Sequence, residues 1–123
     1  MAKNPVVSTW LSSPPDPDFQ VRHSLGRALN LLCKEQTEIM IPLVKTNTTP
    51  LFIEWILSIM GCHHIQRMAL DALIKQRCIV ESNVKLFTDS FVKSIMTTME
   101  KNLDIDVRRM SAEALYHFSR LRL

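Results

Sequence analysis

The chain has 123 residues, a net charge of +3 and 46% hydrophobic residues, which is typical of one small folded domain. Only two glycines among many Leu, Ile, Met and Ala residues favour an all-α protein. No apolar run reaches the roughly 18 residues that a membrane span requires, and so small a charge is not typical of a nucleic-acid-binding protein.

Three cysteines, Cys33, Cys62 and Cys78, are an odd number without the spacing of a disulfide framework. The first residues, MAKNPVVSTWLSSPPDP, lack the long apolar centre of a signal peptide. We therefore expect reduced thiols, an intracellular location in the cytoplasm or the nucleus, and no membrane insertion.

Helix-like segments follow one another along the chain, in the order NPVVSTWLSS, a long segment from Val21, QTEIMIPLVKTN, TTPLFIEWILSIM, a long segment from Ile65, ESNVKLFTDS, TDSFVKSIMTTMEK and a long segment from Val107. Thr49 followed by Pro50 predicts a helix cap and a first helical position. Thr88 or Asp89 is predicted to cap the later helix in the same way. Pro42 predicts a short or broken helix in QTEIMIPLVKTN.

The three long segments contain similar stretches that align without gaps, VRHSLGRAL, IQRMALDAL and VRRMSAEAL. They begin 44 and 42 residues apart (65 − 21 and 107 − 65), within the period of about 40–47 residues that solenoids of two- or three-helix units have. Apolar residues recur at helical spacing in the second and third stretches. A small Ala at the seventh offset of each stretch would let stacked helices approach closely.

On these residues the chain resembles armadillo repeats. SNVKLFTDSFVKSIMTTMEKNLDIDVRRMSAEALYHFSRL and TEIMIPLVKTNTTPLFIEWILSIMGCHHIQRMALDALI follow the armadillo order of a short, a longer and a longest helix, and NPVVSTWLSSPPDPDFQVRHSLGRALNLL is similar to the last two helices of such a unit. The turn DIDVR, residues 104–108, also resembles HEAT repeats, the close alternative, and the extra short helix favours armadillo. The Gly usual between the first two helices is absent, with Asn47 and Asp89 nearby.

The resemblance implies a single domain over residues 1–123, a right-handed α-solenoid of about three units, 1–34, 35–77 and 78–123. In such repeats, a basic residue at the second position of the longest helix pairs with an acidic residue of the turn. That pattern predicts pairing of Arg22 and Arg108 with residues such as Asp18 or Asp104.

In armadillo proteins the outward faces of the longest helices line a groove that holds extended peptides. The matching positions here are at about the sixth and tenth offsets, with two arginines beside them. The resemblance therefore implies a binding site for a partner protein or peptide at Arg27, Asp71, Lys75, Glu113 and His117, flanked by Arg67 and Arg109. The implied function is that of a scaffold or adaptor. The Trp and Asn ladder of nuclear-import receptors is absent, which disfavours that particular activity.

A helical-repeat module that binds RNA is the alternative hypothesis. Its candidate basic residues are Arg22, Arg27, Arg67, Lys75 and Arg109, interrupted by Asp71 and Glu113. The chain contains no Gly-rich phosphate loop, no Gly-x-Ser-x-Gly and no His-Glu-x-x-His. We therefore expect no catalytic residues and no cofactor.

The stretch Gly61-Cys62-His63-His64 places a thiol beside two imidazoles, and a zinc enzyme centred on it is a third hypothesis. A zinc site needs about four ligands, and the remaining Cys and His residues fall at other positions of the repeat. The repeat assigns this stretch to the turn before a longest helix, where Gly61 would take a positive φ. We therefore predict a structural turn and no metal site.

About three repeats are close to the minimum for stability, and the chain ends in HFSRLRL without a helix stop signal. We expect either a fragment or short form of a longer solenoid, or a homo-oligomer formed through exposed end repeats. The apolar residues expected to be exposed are Val6, Val7 and Trp10 at one end and Tyr116, Phe118 and Leu121 at the other.

Overall fold

The computed structural model describes residues 19–46, 49–76 and 88–121. Within these ranges the chain forms helices and no strand: α1 Phe19–Glu35, α2 Thr37–Thr46, α3 Pro50–Leu57, α4 His63–Lys75, α5 Asp89–Lys101 and α6 Ile105–Leu121. The all-α prediction is confirmed for this part of the chain. The predicted helix at 4–13 and most of the segment 81–90 lie outside the described residues. Across the same ranges, no helix has both the length and the apolar character that crossing a bilayer requires.

The predicted cap is observed at the start of α3 and only in part at the start of α5. Thr49 has an extended backbone and its Oγ1 accepts a hydrogen bond from the Phe52 amide at 3.4 Å, with Pro50 as the first helical residue. Thr88 is also extended but makes no capping bond with its side chain, and Asp89 instead places a carboxylate in the first turn of α5. Pro42 lies inside the ten-residue α2, which stays short but unbroken.

Helix α4 lies at the centre of the described structure. It packs against α1, α2, α3 and α6, while α3 also packs against α5 and α5 against α6. The three long helices therefore follow one another in the order α1, α4, α6, with α4 in contact with both of the others. The largest apolar side chains that are fully buried are Phe52, Phe91, Ile53, Ile56, Ile65, Leu70, Ile95, Val44 and Val107.

The three aligned segments differ in how they are buried. Ile65 and Val107 are fully buried, because α3 packs on α4 and α5 packs on α6. Val21, at the matching position of α1, is 52% exposed, and the segment predicted to cover it lies outside the described residues. The layered burial is therefore observed for the second and third segments and not for the first.

The close approach of α1 to the next layer depends on Gly26 and not on the Ala predicted for that role. Ala28 is exposed, whereas Gly26 is buried and a Cβ added to it would overlap the side chain of Ile59 and lie 3.2 Å from the Trp55 ring. The matching alanines of α4 and α6, Ala72 and Ala114, are buried as expected.

The expectation of an exposed apolar end on α6 is only partly met. Tyr116 is exposed, but Phe118 is 3% exposed and packs edge-on against the ring of Phe91, with centroids 5.4 Å apart. The prediction was wrong for Phe118 because α5 covers that face of α6. The side chain of Leu121 and the predicted residues at the other end lie outside the description.

Gln66 is the polar residue on which the packing around α4 depends. Its side chain is fully buried, and its Nε2 donates to the carbonyl oxygens of Ile56 at 3.1 Å and Ile59 at 2.8 Å. Its Oε1 accepts a hydrogen bond from Asn102 Nδ2 at 3.0 Å. One side chain therefore joins the end of α3, the start of α4 and the turn after α5.

Arg108 holds the position in α6 that Gln66 holds in α4, and it also binds a carbonyl of the preceding helix. Its Nε donates to the Met99 oxygen at 2.9 Å, where cationic side chains are favoured by the helix dipole. The predicted pairing of Arg108 with Asp104 was therefore wrong, and Asp104 pairs with Arg67 instead. The side chain of Arg22 lies outside the description.

Replacing Gln66 by Met keeps the length of the side chain but leaves two buried carbonyls and the Asn102 amide without this partner. Since an unsatisfied buried polar group costs about 1–3 kcal/mol, we expect Gln66→Met to lower the free energy of unfolding by about 2 kcal/mol or more, measured by urea denaturation. Gln36→Met, at an exposed position, is the matched control and should change it by less than about 0.5 kcal/mol. Equal losses in the two variants would contradict this role for Gln66.

Candidate functional site

Arg67 is the centre of a charged cluster between α4 and the turn before α6. Its Nη1 lies 3.5 Å from Asp104 Oδ1 and 3.6 Å from Asp106 Oδ2, and its Nη2 lies 2.9 Å from His64 Nδ1. Asp104 Oδ2 also accepts a hydrogen bond from the Val107 amide at 3.0 Å and so caps α6. The guanidinium is therefore held in place from three sides.

His64 is uncharged at neutral pH in this arrangement. An arginine side chain only donates, so Nδ1 of His64 must act as the acceptor. Burial lowers the pKa of His64 below its ordinary value, and the positive charges of Arg67, Lys34 and His63 lower it further, while Asp104 opposes them in part. His64 therefore adds no charge to the cluster at neutral pH.

The other predicted site residues of α4 and α6 form pairs on exposed surface. Lys75 Nζ lies 3.1 Å from Asp71 Oδ2, and Arg109 Nη1 lies 3.8 Å from Asp106 Oδ1. His117 Nε2 and Glu113 Oε1 are 4.0 Å apart. Because Asp106 contacts both Arg67 and Arg109, the charged surface continues from α4 to α6 at this point.

Arg27 is separate from that surface. It lines a depression of about 640 Å³ together with Leu31, Met60, Gly61 and Cys62. Burial raises the pKa of the Cys62 thiol above its ordinary value, and the positive charge of Arg27 opposes that shift in part. Six of the seven predicted residues therefore lie on α4 and α6, and Arg27 lies beside the turn that precedes α4.

The predicted turn covers only the first half of the stretch from Gly61 to His64, because α4 already begins at His63. The predicted positive φ is confirmed at Gly61, where φ is +80°. Cys62 is buried at the position before the first residue of α4 and makes no capping hydrogen bond. The Ile65 amide instead donates to Asn30 Oδ1 of α1 at 3.2 Å. Within the described ranges, no three His, Cys, Asp or Glu side chains converge as metal ligands would.

A second depression, of about 410 Å³, opens between α1, α2, α4 and α6, and we call it the sulfur-lined depression. Its apolar lining consists of Cys33, Ile41, Met68 and Met110. Its polar lining consists of Lys34, Thr37, His64, Arg67 and Asp71. Of the predicted site residues it contains only Arg67 and Asp71.

The thiol of Cys33 belongs to the wall of this depression and not to a reactive centre. Its Sγ donates to Met68 Sδ at 3.6 Å. Burial raises the pKa of the Cys33 thiol above its ordinary value, against the opposing charge of Arg67, which keeps the thiol protonated.

Most of this lining was not predictable from the sequence, because the depression forms only where α2 lies beside α4. Met68 falls on the helical stripe that pattern analysis assigns to the core. The sequence feature that could have indicated the depression is a pair of methionines, Met68 and Met110, at matching positions of α4 and α6.

Comparison of the chain with protein-family models, with curated proteins and with solved structures finds no match in any of the three. The described residues define an all-α protein whose long helices pack in succession. The resemblance to armadillo repeats therefore depends on the sequence pattern alone.

Removal of the Arg67 charge is expected to raise the pKa of His64. In the wild-type chain His64 should titrate below 6.5, its ordinary value, and Arg67→Met should move the midpoint upward, as followed by NMR of the histidine ring protons. His64→Gln assigns the signal, and Lys93→Met on α5 is the control. A wild-type midpoint at or above 6.5, or one unchanged by Arg67→Met, would contradict the arrangement.

The same shift has a defined effect on stability. Because the folded state takes up this proton less readily than the unfolded chain, the contribution of His64 to stability falls as the pH drops below 6.5, and the loss levels off below the folded-state pKa. His64→Gln should remove that part of the pH dependence.

Proposed function

We propose that this chain is an armadillo-type helical-repeat module, a right-handed α-solenoid without catalytic activity, that binds a segment of another protein across α4 and α6. The order of packing supports the proposal, since α4 contacts both α1 and α6. Stacked helical units suit such a role because they build an extended surface on a rigid core.

The observation that carries the proposal is the continuous charged surface of α4 and α6. Asp106 lies between Arg67 and Arg109 and joins the two helices. The pair Asp71–Lys75 extends the alternation of charge along α4, and Glu113 adds a carboxylate beside His117 on α6. A surface of alternating charge is complementary to a segment that carries charges of both signs, and such complementarity provides specificity more than affinity.

The same pairing weighs against RNA binding. Arg67, Lys75 and Arg109 each lie within 4 Å of a carboxylate. A protein that binds nucleic acid through phosphates needs uncompensated positive charge along its surface. The carboxylates here would repel a phosphate backbone, so the protein-binding hypothesis is favoured.

The two exposed cations test the proposal most directly. We expect Arg109→Glu and Lys75→Glu to abolish or strongly reduce the capture of specific proteins from a cell lysate, as measured by quantitative mass spectrometry against the wild-type chain. The reason is that each change places a negative charge where a partner carboxylate would bind, while a surface change leaves the fold intact.

Lys93→Glu, an equal charge reversal at an exposed position of α5, is the matched control and should retain the captured proteins. Nuclease treatment of the lysate should also leave them bound. If the same proteins are still captured by Lys75→Glu and by Arg109→Glu, or if nuclease releases them, protein recognition by this surface is refuted.

A further inference from the structure

We infer that the sulfur-lined depression holds one large apolar side chain of the bound protein segment, with an acidic residue of that segment beside Lys34. This inference rests on the proposed function and specifies the chemistry of the partner. It places a specificity site at the border of the charged surface, where Arg67 and Asp71 contribute to both.

The lining of the depression offers an apolar ligand a matching surface. Ile41 is 38% exposed, and Met68 and Met110 are half-buried around an open volume of about 410 Å³. Methionine side chains adapt their shape to what they contact. The Cys33 thiol already donates its hydrogen to Met68 Sδ. A hydrocarbon group bound in the depression would therefore not deprive the thiol of a hydrogen-bond partner.

The charges around the depression are balanced except at one place. Arg67 faces Asp104 and Asp106, and Asp71 faces Lys75. His64 is neutral because it accepts a hydrogen bond from Arg67 and its pKa is lowered.

Lys34 supplies the unbalanced charge. It is exposed in the last turn of α1 and has no carboxylate within ion-pair distance in the described part of the chain. The uncompensated charge at the edge of the depression is therefore positive, and the complementary group is a carboxylate of the partner.

The volume is sufficient for one large apolar side chain. About 410 Å³ is near the lower end of the range of ligand pockets, roughly 300–1,000 Å³, and the depression is open to solvent. It accommodates the side chain of Met, Leu or Phe while the partner backbone stays outside. An acidic residue next to that side chain in the partner sequence then comes within reach of Lys34.

Selection from a display library of random linear peptides on the wild-type chain tests this inference without a known partner. We expect enrichment of peptides that contain Met, Leu or Phe with Asp or Glu within about three positions. Fluorescence anisotropy of one synthetic enriched peptide then measures its affinity for the variants.

Ile41→Glu should weaken that peptide by about tenfold or more, because burial of one large apolar side chain is worth more than the factor of ten in affinity. Ile39→Glu is the matched control, since Ile39 is 54% exposed on the same helix and does not line the depression. It should change the affinity by less than about twofold. Ile41→Ser replaces Ile41→Glu if circular dichroism shows that the latter unfolds.

When the selection is repeated on Lys34→Glu, the residues next to the apolar side chain of the enriched peptides should change from acidic to basic. Lys93→Glu should leave them acidic. Several results would overturn the inference: no enriched peptide, enrichment without the apolar–acidic pattern, equal losses for Ile39→Glu and Ile41→Glu, or tighter binding of a mixed RNA oligonucleotide at the same site. If the peptides are lost with Arg109→Glu but kept with Ile41→Glu, the proposed function stands and the inference fails. If neither Arg109→Glu nor Ile41→Glu weakens peptide binding, the proposed function and the inference both fail.

Discussion

The described structure depends on the position of α4, and a hydrogen-bonded amide in its first turn holds that position. An amphipathic helix cannot bury its apolar face alone, so each long helix of this chain needs a neighbour on that face. Gln66 makes the arrangement specific, because its buried amide has its partners only when the end of α3 and the turn after α5 meet it in one register. Apolar packing by itself would tolerate several such arrangements.

The candidate site is positioned by this core and not by its own ion pairs. Pairs between partly exposed side chains contribute about 0–1 kcal/mol each, too little to hold α4 against α6. The packing of the two helices instead brings Asp104 and Asp106 to Arg67, and Asp104 serves α6 as a cap in the same place. A charged surface organised in this way keeps its geometry when one of its ion pairs is broken, as the proposed binding of a partner would require.

Local chemistry made much of the fold predictable, and tertiary geometry explains what was not. The cap at Thr49 and the positive φ of Gly61 were predictable, because both features depend on only a few neighbouring residues. The burial of Phe118 against Phe91 and the close helix packing at Gly26 depend on which helix lies opposite. The spacing of apolar residues along one helix does not identify that neighbour. For the site, residue spacing was enough to place six predicted residues on α4 and α6. The depression beside them was missed because α2, α4 and α6 meet there only in three dimensions.

Native-state hydrogen exchange, followed amide by amide at increasing denaturant, tests the central position of α4 most directly. A helix that packs against four others opens only when the whole domain unfolds. We therefore predict that amides near Ala69 and Leu70 exchange with the free energy of global unfolding, above those of α2. Exchange of α4 through a lower-energy local opening, with α2 or α1 protected longer, would contradict it.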